Sequence, residues 1–262
     1  MTTTAPKVNG DSPLLAEKCT IRFGGLVAVN ELNMQVKRGE IYGLIGPNGA
    51  GKTTIFNLLT GVYEPTSGNI HFEGKRINGL RPYQISRLGV SRTFQNIRLF
   101  PGMSVLENVM TACHIHARQN LLDAVLRLPR FYRDERDHRD FALELLEIFD
   151  LVNVRSEAGT SLPYGRQRRL EIVRALATRP KLLLLDEPAA GLNPSEQEDL
   201  MNLIQQIRDR FGLTILLVEH NMKVVMGVCE RIQVVDYGKS IALGLPHEIK
   251  NDPKVIEAYL GD

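Results

Sequence analysis

Residues 46–54 read GPNGAGKTT, and this stretch decides the fold of the chain. It matches the pattern G-x-x-x-x-G-K-[ST] and lies between an apolar run, residues 41–45, and a helical pattern that begins after Gly51. Glycines here let backbone N–H groups approach phosphate oxygens without a Cβ in the way, and the helix N-terminus adds partial positive charge. The stretch therefore predicts a strand, a phosphate-binding loop and a helix, in that order.

The loop residues have separate expected roles. Lys52 would reach the β- and γ-phosphates of a nucleoside triphosphate, and the Thr53 hydroxyl would ligate Mg²⁺. The alternative is a glycine-rich turn without a ligand, but the strand–loop–helix context favours the phosphate loop. The predicted nucleotide-binding residues of this stretch are Gly46, Pro47, Asn48, Gly49, Ala50, Gly51, Lys52, Thr53 and Thr54.

A second signal is the apolar run 182–185, which ends in Asp186 and Glu187. A strand that is buried on both faces carries no charge until its tip. Asp186 could hold the hydration shell of Mg²⁺, and Glu187 could orient or deprotonate an attacking water. The alternative is an acidic turn that only caps the following helix.

The remaining pattern predicts an α/β fold. Strands at 182–185 and 213–218 flank a helix at 195–210, which indicates a parallel sheet. Short strands near the N-terminus indicate a smaller antiparallel sheet, residues 105–150 have a helical pattern, and residues 231–243 are typical of a hairpin. The charge-dense segment 127–140 is predicted to be a solvated face or a loop.

Composition narrows the possible classes of protein. A chain of 262 residues suits one large domain or two small ones, and a net charge of +2 implies no polyanion as partner. The 3 cysteines fit a reduced cytosolic protein better than a disulfide framework. Residues 1–12 are expected to form a loose polar tail without the apolar core of a signal peptide, and no apolar run is long enough to span a bilayer.

Further motifs resemble those of ATP-binding-cassette (ABC) ATPases over nearly the whole chain. That family carries a signature, usually Leu-Ser-Gly-Gly-Gln, shortly before the acidic strand. Gln95 in RTFQN resembles its Q-loop glutamine, His220 after LTILLVEH its switch histidine, and Phe23 the aromatic residue that stacks on adenine. AGLN at 190–193 resembles the D-loop, with Asn193 where the family usually has Asp. The place of the signature is taken here by Leu162, Pro163, Tyr164, Gly165, Arg166 and Gln167.

The resemblance implies a single cassette domain at 13–262. Its expected parts are a RecA-like parallel sheet, a small antiparallel β subdomain and a helical subdomain at roughly 96–170. The family relation implies that Glu187, His220 and Gln95 are catalytic. It also implies that Thr53, Gln95 and Asp186 hold Mg²⁺, and that ATP is the nucleotide.

The signature departs from the family pattern. Pro163 has neither a hydroxyl nor an N–H, and Tyr164 replaces a glycine. Proline suits the first turn of a helix, and the N–H groups that follow could still face a phosphate. We therefore expect a variant that still works without the serine hydroxyl; the alternative is a surface helix with solvated arginines. Arg168 and Arg169 are interpreted as structural or interface residues.

A finer resemblance is to the larger ATP-binding subunit of branched-chain amino-acid importers. It rests on RTFQNIRLFPGMSVLENVM, the insertion at 112–139, SLPYGRQRRLEIVRAL, DEPAAGLNP, VEHNMKVVMGVCERIQVVDYGK and the terminal EAYLGD. The resemblance implies a heterodimer with a second, smaller cassette, two integral membrane permeases and, indirectly, a periplasmic binding protein. It places the chain peripherally on the cytoplasmic face of the inner membrane, with no nucleic acid as partner. Leu99, Phe100 and Met103 form an apolar cluster that could receive a permease helix or belong to the local core.

Three alternatives stay open at this point. Similar cassettes serve importers of urea, amides or other amino acids. Others serve exporters of lipids or polysaccharides. A soluble ABC ATPase of DNA repair or translation usually has two cassettes or a long coiled coil, and this sequence has one cassette and no sustained heptads.

Overall fold

The computed structural model describes residues 12–116 and 129–260, whose strands form two sheets. A four-stranded antiparallel sheet has the order β2-β1-β4-β5, and a six-stranded sheet has the order β10-β9-β3-β8-β7-β6. In the larger sheet all pairs are parallel except β9 with β10. The strands are β1 (Leu14–Phe23), β2 (Leu26–Val36), β3 (Ile41–Ile45), β4 (Ser67–Phe72), β5 (Lys75–Arg76), β6 (Val90–Arg92), β7 (Leu182–Asp186), β8 (Thr214–Val218), β9 (Arg231–Asp236) and β10 (Lys239–Gly244).

Helices cover the larger sheet, and three of the described helices lie in the part of the sequence that connects β6 to β7. The described helices are α1 (Lys52–Leu59), α2 (Pro82–Leu88), α3 (Val105–Cys113), α4 (Pro129–Ile148), α5 (Tyr164–Ala177), α6 (Pro194–Phe211), α7 (Met222–Val228), α8 (Pro246–Lys250) and α9 (Pro253–Leu260). Short 3₁₀ turns occupy His114–His116, Val152–Val154 and Gly159–Ser161. No helix in the described ranges is both long and apolar enough to cross a membrane.

Alternate side chains of the central strands enter two separate cores. In β3, Ile41 and Ile45 pack towards α3 to α6, whereas Tyr42 and Leu44 pack towards α1 and the antiparallel sheet. Every residue of β3, β7 and β8 is buried, as expected for parallel strands that are covered on both faces. This burial explains why the predicted strands at 41–45, 182–185 and 213–218 were recognisable as continuous apolar runs.

The strand register fixes the position of the functional residues. Val218 at the end of β8 lies beside Leu44 of β3 on one side and beside Asp186 of β7 on the other. The carboxyl ends of these parallel strands therefore meet at one edge of the sheet, where ligands bind in folds of this kind. The phosphate loop, the acidic pair and His220 all follow directly from this edge.

The structure also changes some expectations. Where it is described, the charge-dense segment 127–140 is a solvated face of α4, one of the two expected alternatives, and not a loop; farther along this helix Leu145 is buried. Neither α2 nor β6 was predicted, since both are short. Most of the predicted tail, residues 1–11, lies outside the described residues; Ser12 is buried and accepts a hydrogen bond from Gln35 at 2.9 Å.

Candidate nucleotide site

The loop after β3 has a backbone that only glycine allows. Gly46 has φ +155°, and a Cβ there would lie 2.0 Å from the carbonyl oxygen of Val235. Gly51 has φ +100°, and its Cβ would lie 2.7 Å from the carbonyl oxygen of Ala28. The close approach of these neighbouring strands leaves no room for side chains, so the loop can expose its N–H groups to a phosphate.

Lys52 lies inside this loop at the first residue of α1. Its Nζ donates hydrogen bonds to the carbonyl oxygens of Gly46 and Pro47, at 2.6 and 2.7 Å. Burial lowers the pKa of Lys52, and the nearby carboxylates of Glu187 and Asp186 oppose this shift. Lys52 therefore places a cation between the loop and the acidic pair, where a β- or γ-phosphate would carry its charge.

The carboxylate of Asp186 is buried and paired with a cation that the sequence did not reveal. Its Oδ2 accepts a hydrogen bond from Arg92 Nη2 at 2.6 Å, and Arg92 also donates to Asn57 Oδ1 of α1 at 2.7 Å. The guanidinium lies over the rings of Phe56 and Phe94, at 5.2 and 5.3 Å from their centroids. Arg92 thus holds the tip of β7 against the helix that follows the phosphate loop.

The three predicted catalytic side chains come together beside the loop. Glu187 has φ +47°, and its N–H donates to the carbonyl oxygen of Val218 at 2.8 Å. Its Oε2 accepts a hydrogen bond from Gln95 Nε2 at 2.9 Å, and its Oε1 lies 3.7 Å from Nδ1 of His220. The unusual backbone turns the Glu187 carboxylate out of the sheet edge and between the other two side chains.

Glu219 holds the backbone on which this arrangement rests, and the sequence analysis did not predict a role for it. It is completely buried at the end of β8, and burial raises its pKa. Its Oε1 accepts the N–H of Ala189 at 2.7 Å, and its Oε2 accepts the N–H groups of His220 and Asn221 at 3.1 and 3.2 Å. Glu219 therefore ties the turn after β7 to the turn that carries His220.

The variant signature occupies the start of α5. Pro163 is the N-cap residue, Tyr164 is the first helical residue, and Arg166 is exposed. The side chain of Leu162, however, is only 4% exposed and belongs to the core, and the part that this residue plays in the nucleotide site stays a prediction. Gln167 donates through Nε2 to the Leu162 carbonyl at 2.7 Å, which ties the helix to the preceding turn.

Tyr164 packs against the segment that resembles the D-loop. A Cβ on Gly191 would lie 2.9 Å from the Tyr164 ring, so the glycine leaves room for this large side chain. Asn193 is the N-cap residue of α6, and its Oδ1 accepts hydrogen bonds from the N–H groups of Ser195 and Glu196, each at 3.0 Å. Both departures from the family pattern thus make contacts within this chain.

Arg168 contacts three of the predicted motifs at once. It is 1% exposed and forms a 2.8 Å ion pair with Glu171 on the same helix. Its guanidinium also donates to the carbonyl oxygens of Phe94 and Gln95, at 2.7 and 2.9 Å, and to that of Glu187 at 3.3 Å. The interpretation of Arg168 as a structural residue therefore agrees with its contacts, and two of these contacts are to the backbones of the predicted catalytic residues Gln95 and Glu187.

Phe23 lies at the end of β1, where its side chain is accessible to a nucleotide base. It is 45% exposed and makes an edge-to-face contact with Tyr63, with ring centroids 5.2 Å apart. An exposed ring that contacts the turn after α1 suits stacking on adenine, and this role stays a prediction.

Comparison with known proteins agrees with this geometry. A family profile described as "ABC transporter" matches residues 29–190. The chain belongs to the ABC transporter family. A second profile, described as "Branched-chain amino acid ATP-binding cassette transporter", matches residues 239–262. As a member of this nucleotide-binding family, the chain is an ATPase whose hydrolysis is coupled to transport.

Individual relatives cover almost the whole chain. A high-affinity branched-chain amino acid transport ATP-binding protein of Pseudomonas aeruginosa is 48% identical over 93% of this chain and 95% of its own length. The corresponding protein of Escherichia coli K12 is 49% identical, over 92% and 95%. A lipopolysaccharide export ATP-binding protein of Haemophilus influenzae is less similar, at 36% identity over 96% and 98%. A crystal structure of the ADP conformation of an ABC transporter cassette superposes with a TM-score of 0.83, at 30% identity, over 96% of this chain and 99% of that one.

Proposed function

We propose that this chain binds and hydrolyses ATP to energise a membrane importer of branched-chain amino acids. The observation that carries the hydrolytic part is the convergence of Gln95, Glu187 and His220 beside the phosphate loop. The substrate class follows from the named relatives at 48% and 49% identity, because the lipopolysaccharide exporter subunit is clearly more distant at 36%. The amino acid itself would never contact this chain.

Each residue of the cluster has a distinct role in hydrolysis. The Oε1 or Oε2 atom of Glu187 accepts the proton of the attacking water, which Gln95 and His220 hold in place from either side. Lys52 and the loop N–H groups neutralise charge on the phosphates, and these contacts strengthen as charge develops. Phe23 stacks on the adenine.

The residues present also fit Mg²⁺. Hydroxyl, amide and carboxylate oxygens are the ligands that this ion prefers, and Thr53, Gln95 and Asp186 offer one of each. Bound Mg²⁺ would neutralise charge on the β- and γ-phosphates. Arg92 pairs with Asp186 at 2.6 Å and so fixes the orientation of the carboxylate that would face the ion.

Two cassettes are needed to complete each site in this proposal. The start of α5, with Pro163, Tyr164, Gly165 and Arg166, would face ATP that is held by the phosphate loop of a second, smaller cassette. Tyr164 is 46% exposed, so its side chain would be available for contacts at such an interface. Because Pro163 brings no hydroxyl, this chain supplies one hydrogen bond fewer than the usual signature.

The groove between the sheet and α5 suits a permease contact. It has a volume of about 290 Å³ and is lined by Val62, Pro82, Phe94, Arg98 and Arg174, among others. Of the apolar cluster that could receive a permease helix or belong to the local core, Phe100 and Met103 are 40% and 37% exposed, whereas Leu99 packs against the core. The proposal includes two permeases, an indirect periplasmic binding protein and a position at the cytoplasmic face of the inner membrane.

The proposal is tested by isolating the assembly and measuring transport. The tagged chain is purified from its native membranes in mild detergent, and its partners are identified by mass spectrometry. We expect a second cassette and two polytopic permeases. A strain without the chain should lose uptake of labelled leucine, regain it with the wild type, and not regain it with Glu187→Gln. Normal leucine uptake in the deleted strain, or recovery of the chain with ribosomes or nucleic acid, would refute the proposal.

A further inference from the structure

The segment of the chain that connects β6 to β7 carries a cluster of three potential metal ligands, none of which belongs to the candidate nucleotide site. His114 belongs to the 3₁₀ turn after α3, and Glu135 and His138 lie on α4. One ligating atom of each residue lies within 4.8 Å of the others. These residues belong to none of the motifs that the proposed ATPase reaction uses.

The spacing along α4 places two ligands on one helix face. Glu135 and His138 are three residues apart, so their side chains are neighbours on the helix surface. His114 approaches them from the opposite side, with its Nε2 2.9 Å from Glu135 Oε1. Its ring lies 5.3 Å from that of His138, centroid to centroid. A Glu-x-x-His helix that faces a ligand on another segment is an arrangement that metal-binding helical bundles use.

The surroundings of His138 leave one of its ring nitrogens without a hydrogen-bond partner among the described residues. That nitrogen is Nδ1, which is buried. This nitrogen is therefore free to take part in a new interaction, next to the two other candidate ligands.

The neighbouring thiol does not belong to the ligand set. Cys113 is 4% exposed, its sulfur is not among the ligand atoms that lie close together, and its Sγ donates to the His138 carbonyl oxygen at 3.9 Å. His114 and Glu135 have side chains that are 46% and 31% exposed. An ion could therefore enter from solvent and keep a water as its fourth ligand.

We propose that His114, Glu135 and His138 form a binding site for Zn²⁺, with water in the fourth position. Two imidazoles and one carboxylate favour a late first-row divalent ion over Mg²⁺ or Ca²⁺. Two His and one Glu with an open position is also a known ligand set for zinc. The ion would join the turn after α3 to α4 and so close the 21-residue span from His114 to Glu135. The site would stiffen the helical part of the chain that also carries α5.

The direct test is zinc binding by the full chain without a polyhistidine tag, free of nucleotide and stripped with a chelator. Calorimetry at neutral pH should give one equivalent of zinc per chain. His138→Gln, His114→Gln and Glu135→Gln should each weaken binding by about 10- to 100-fold. His71→Gln is the matched control, because His71 also lies near a carboxylate, at 3.8 Å from Glu17, but without a second histidine. Its zinc affinity should equal that of the wild type.

A spectroscopic readout separates coordination from adventitious binding. Co²⁺ in the wild type should give the visible absorption of a four-coordinate site, and His138→Gln should lose it. Circular dichroism without metal checks that the variants fold; if His138→Gln does not, the two exposed ligands, His114 and Glu135, decide. The proposal is overturned if the wild type shows no saturable binding, or if His114→Gln and Glu135→Gln bind zinc as tightly as the wild type.

Discussion

Arg168→Met gives the sharpest test of how the site is held together. In the wild type, Nη1 of Arg168 lies 2.8 Å from Glu171 Oε2 and 2.7 Å from the Phe94 carbonyl oxygen. Nη2 lies 2.9 Å from the Gln95 carbonyl oxygen and 3.3 Å from that of Glu187. Methionine keeps much of the apolar volume but removes the charge and every donor. The Glu171 carboxylate would then be buried without its cation.

The expected cost follows from these contacts. Removal of one partner from a buried ion pair lowers the free energy of unfolding by about 3–5 kcal/mol, because the other charge remains unpaired. Burial already raises the pKa of Glu171 despite Arg168, which indicates how strongly this position disfavours a lone charge. Replacement of both Arg168 and Glu171 by Met should therefore cost less than the sum of the two single substitutions.

Urea unfolding of the isolated chain, followed by circular dichroism, measures this cost. Arg169→Met is the matched control: Arg169 is on the same helix, but its side chain is 27% exposed and lies 3.7 Å from Asp150 and 3.4 Å from Asp199. Such exposed pairs contribute about 0–1 kcal/mol. If Arg168→Met costs no more than Arg169→Met, the buried pair does not hold the catalytic cluster as argued.

Four further outcomes follow from the site. Glu187→Gln should lower ATP turnover of the assembled transporter by about 10²–10⁴-fold with little change in binding of a fluorescent ATP analogue; parallel loss of binding would contradict a role in chemistry alone. Arg92→Met leaves Asp186 buried without a cation and should cost about 3–5 kcal/mol. In thermal melts, Mg-ATP should raise the melting temperature of this variant more than that of the wild type, and an equal rise would refute the pairing. Burial raises the pKa of all three thiols, that of Cys229 to about 12, so at about pH 8 a disulfide reagent should count no fast thiol before denaturation and three after it; a fast thiol in the native chain would show that its burial is incomplete. Pro163→Ser should raise ATP turnover of the complex, and an unchanged or lower rate would show that the absent hydroxyl does not limit hydrolysis.

The sequence predicted those parts of the fold that follow from local rules. The phosphate loop has a fixed spacing, and the parallel strands appear as apolar runs because both faces are covered. Once these strands are parallel neighbours, their carboxyl ends must meet, which explains why Gln95, Glu187 and His220 converge although they are far apart in the chain. The order of the motifs was thus enough to predict their meeting place.

The charged residues that support the site could not be found in the same way. Arg92 and Asp186 are 94 positions apart, and no local pattern links a basic residue to a distant carboxylate. Arg168 could not be distinguished in the sequence from Arg166 and Arg169, although of these three only Arg168 is buried. Glu219 did have a usable signal, because it ends the apolar strand β8 as Asp186 ends β7, and a carboxylate at a buried strand tip is costly unless it has partners.

These supporting residues also explain how a signature that differs from the family pattern remains part of an ordered site. In the proposed assembly the start of α5 would face the ATP of a second cassette, whereas Gln95 and Glu187 would act on the ATP of their own loop. One buried guanidinium, that of Arg168, contacts α5, the Gln95 carbonyl and the Glu187 carbonyl. Because a packed buried pair shifts between discrete arrangements instead of stretching, we expect α5 to move together with the catalytic segments. We therefore expect the link between the two sites to run through the backbone carbonyls that Arg168 holds, without the serine that Pro163 replaces.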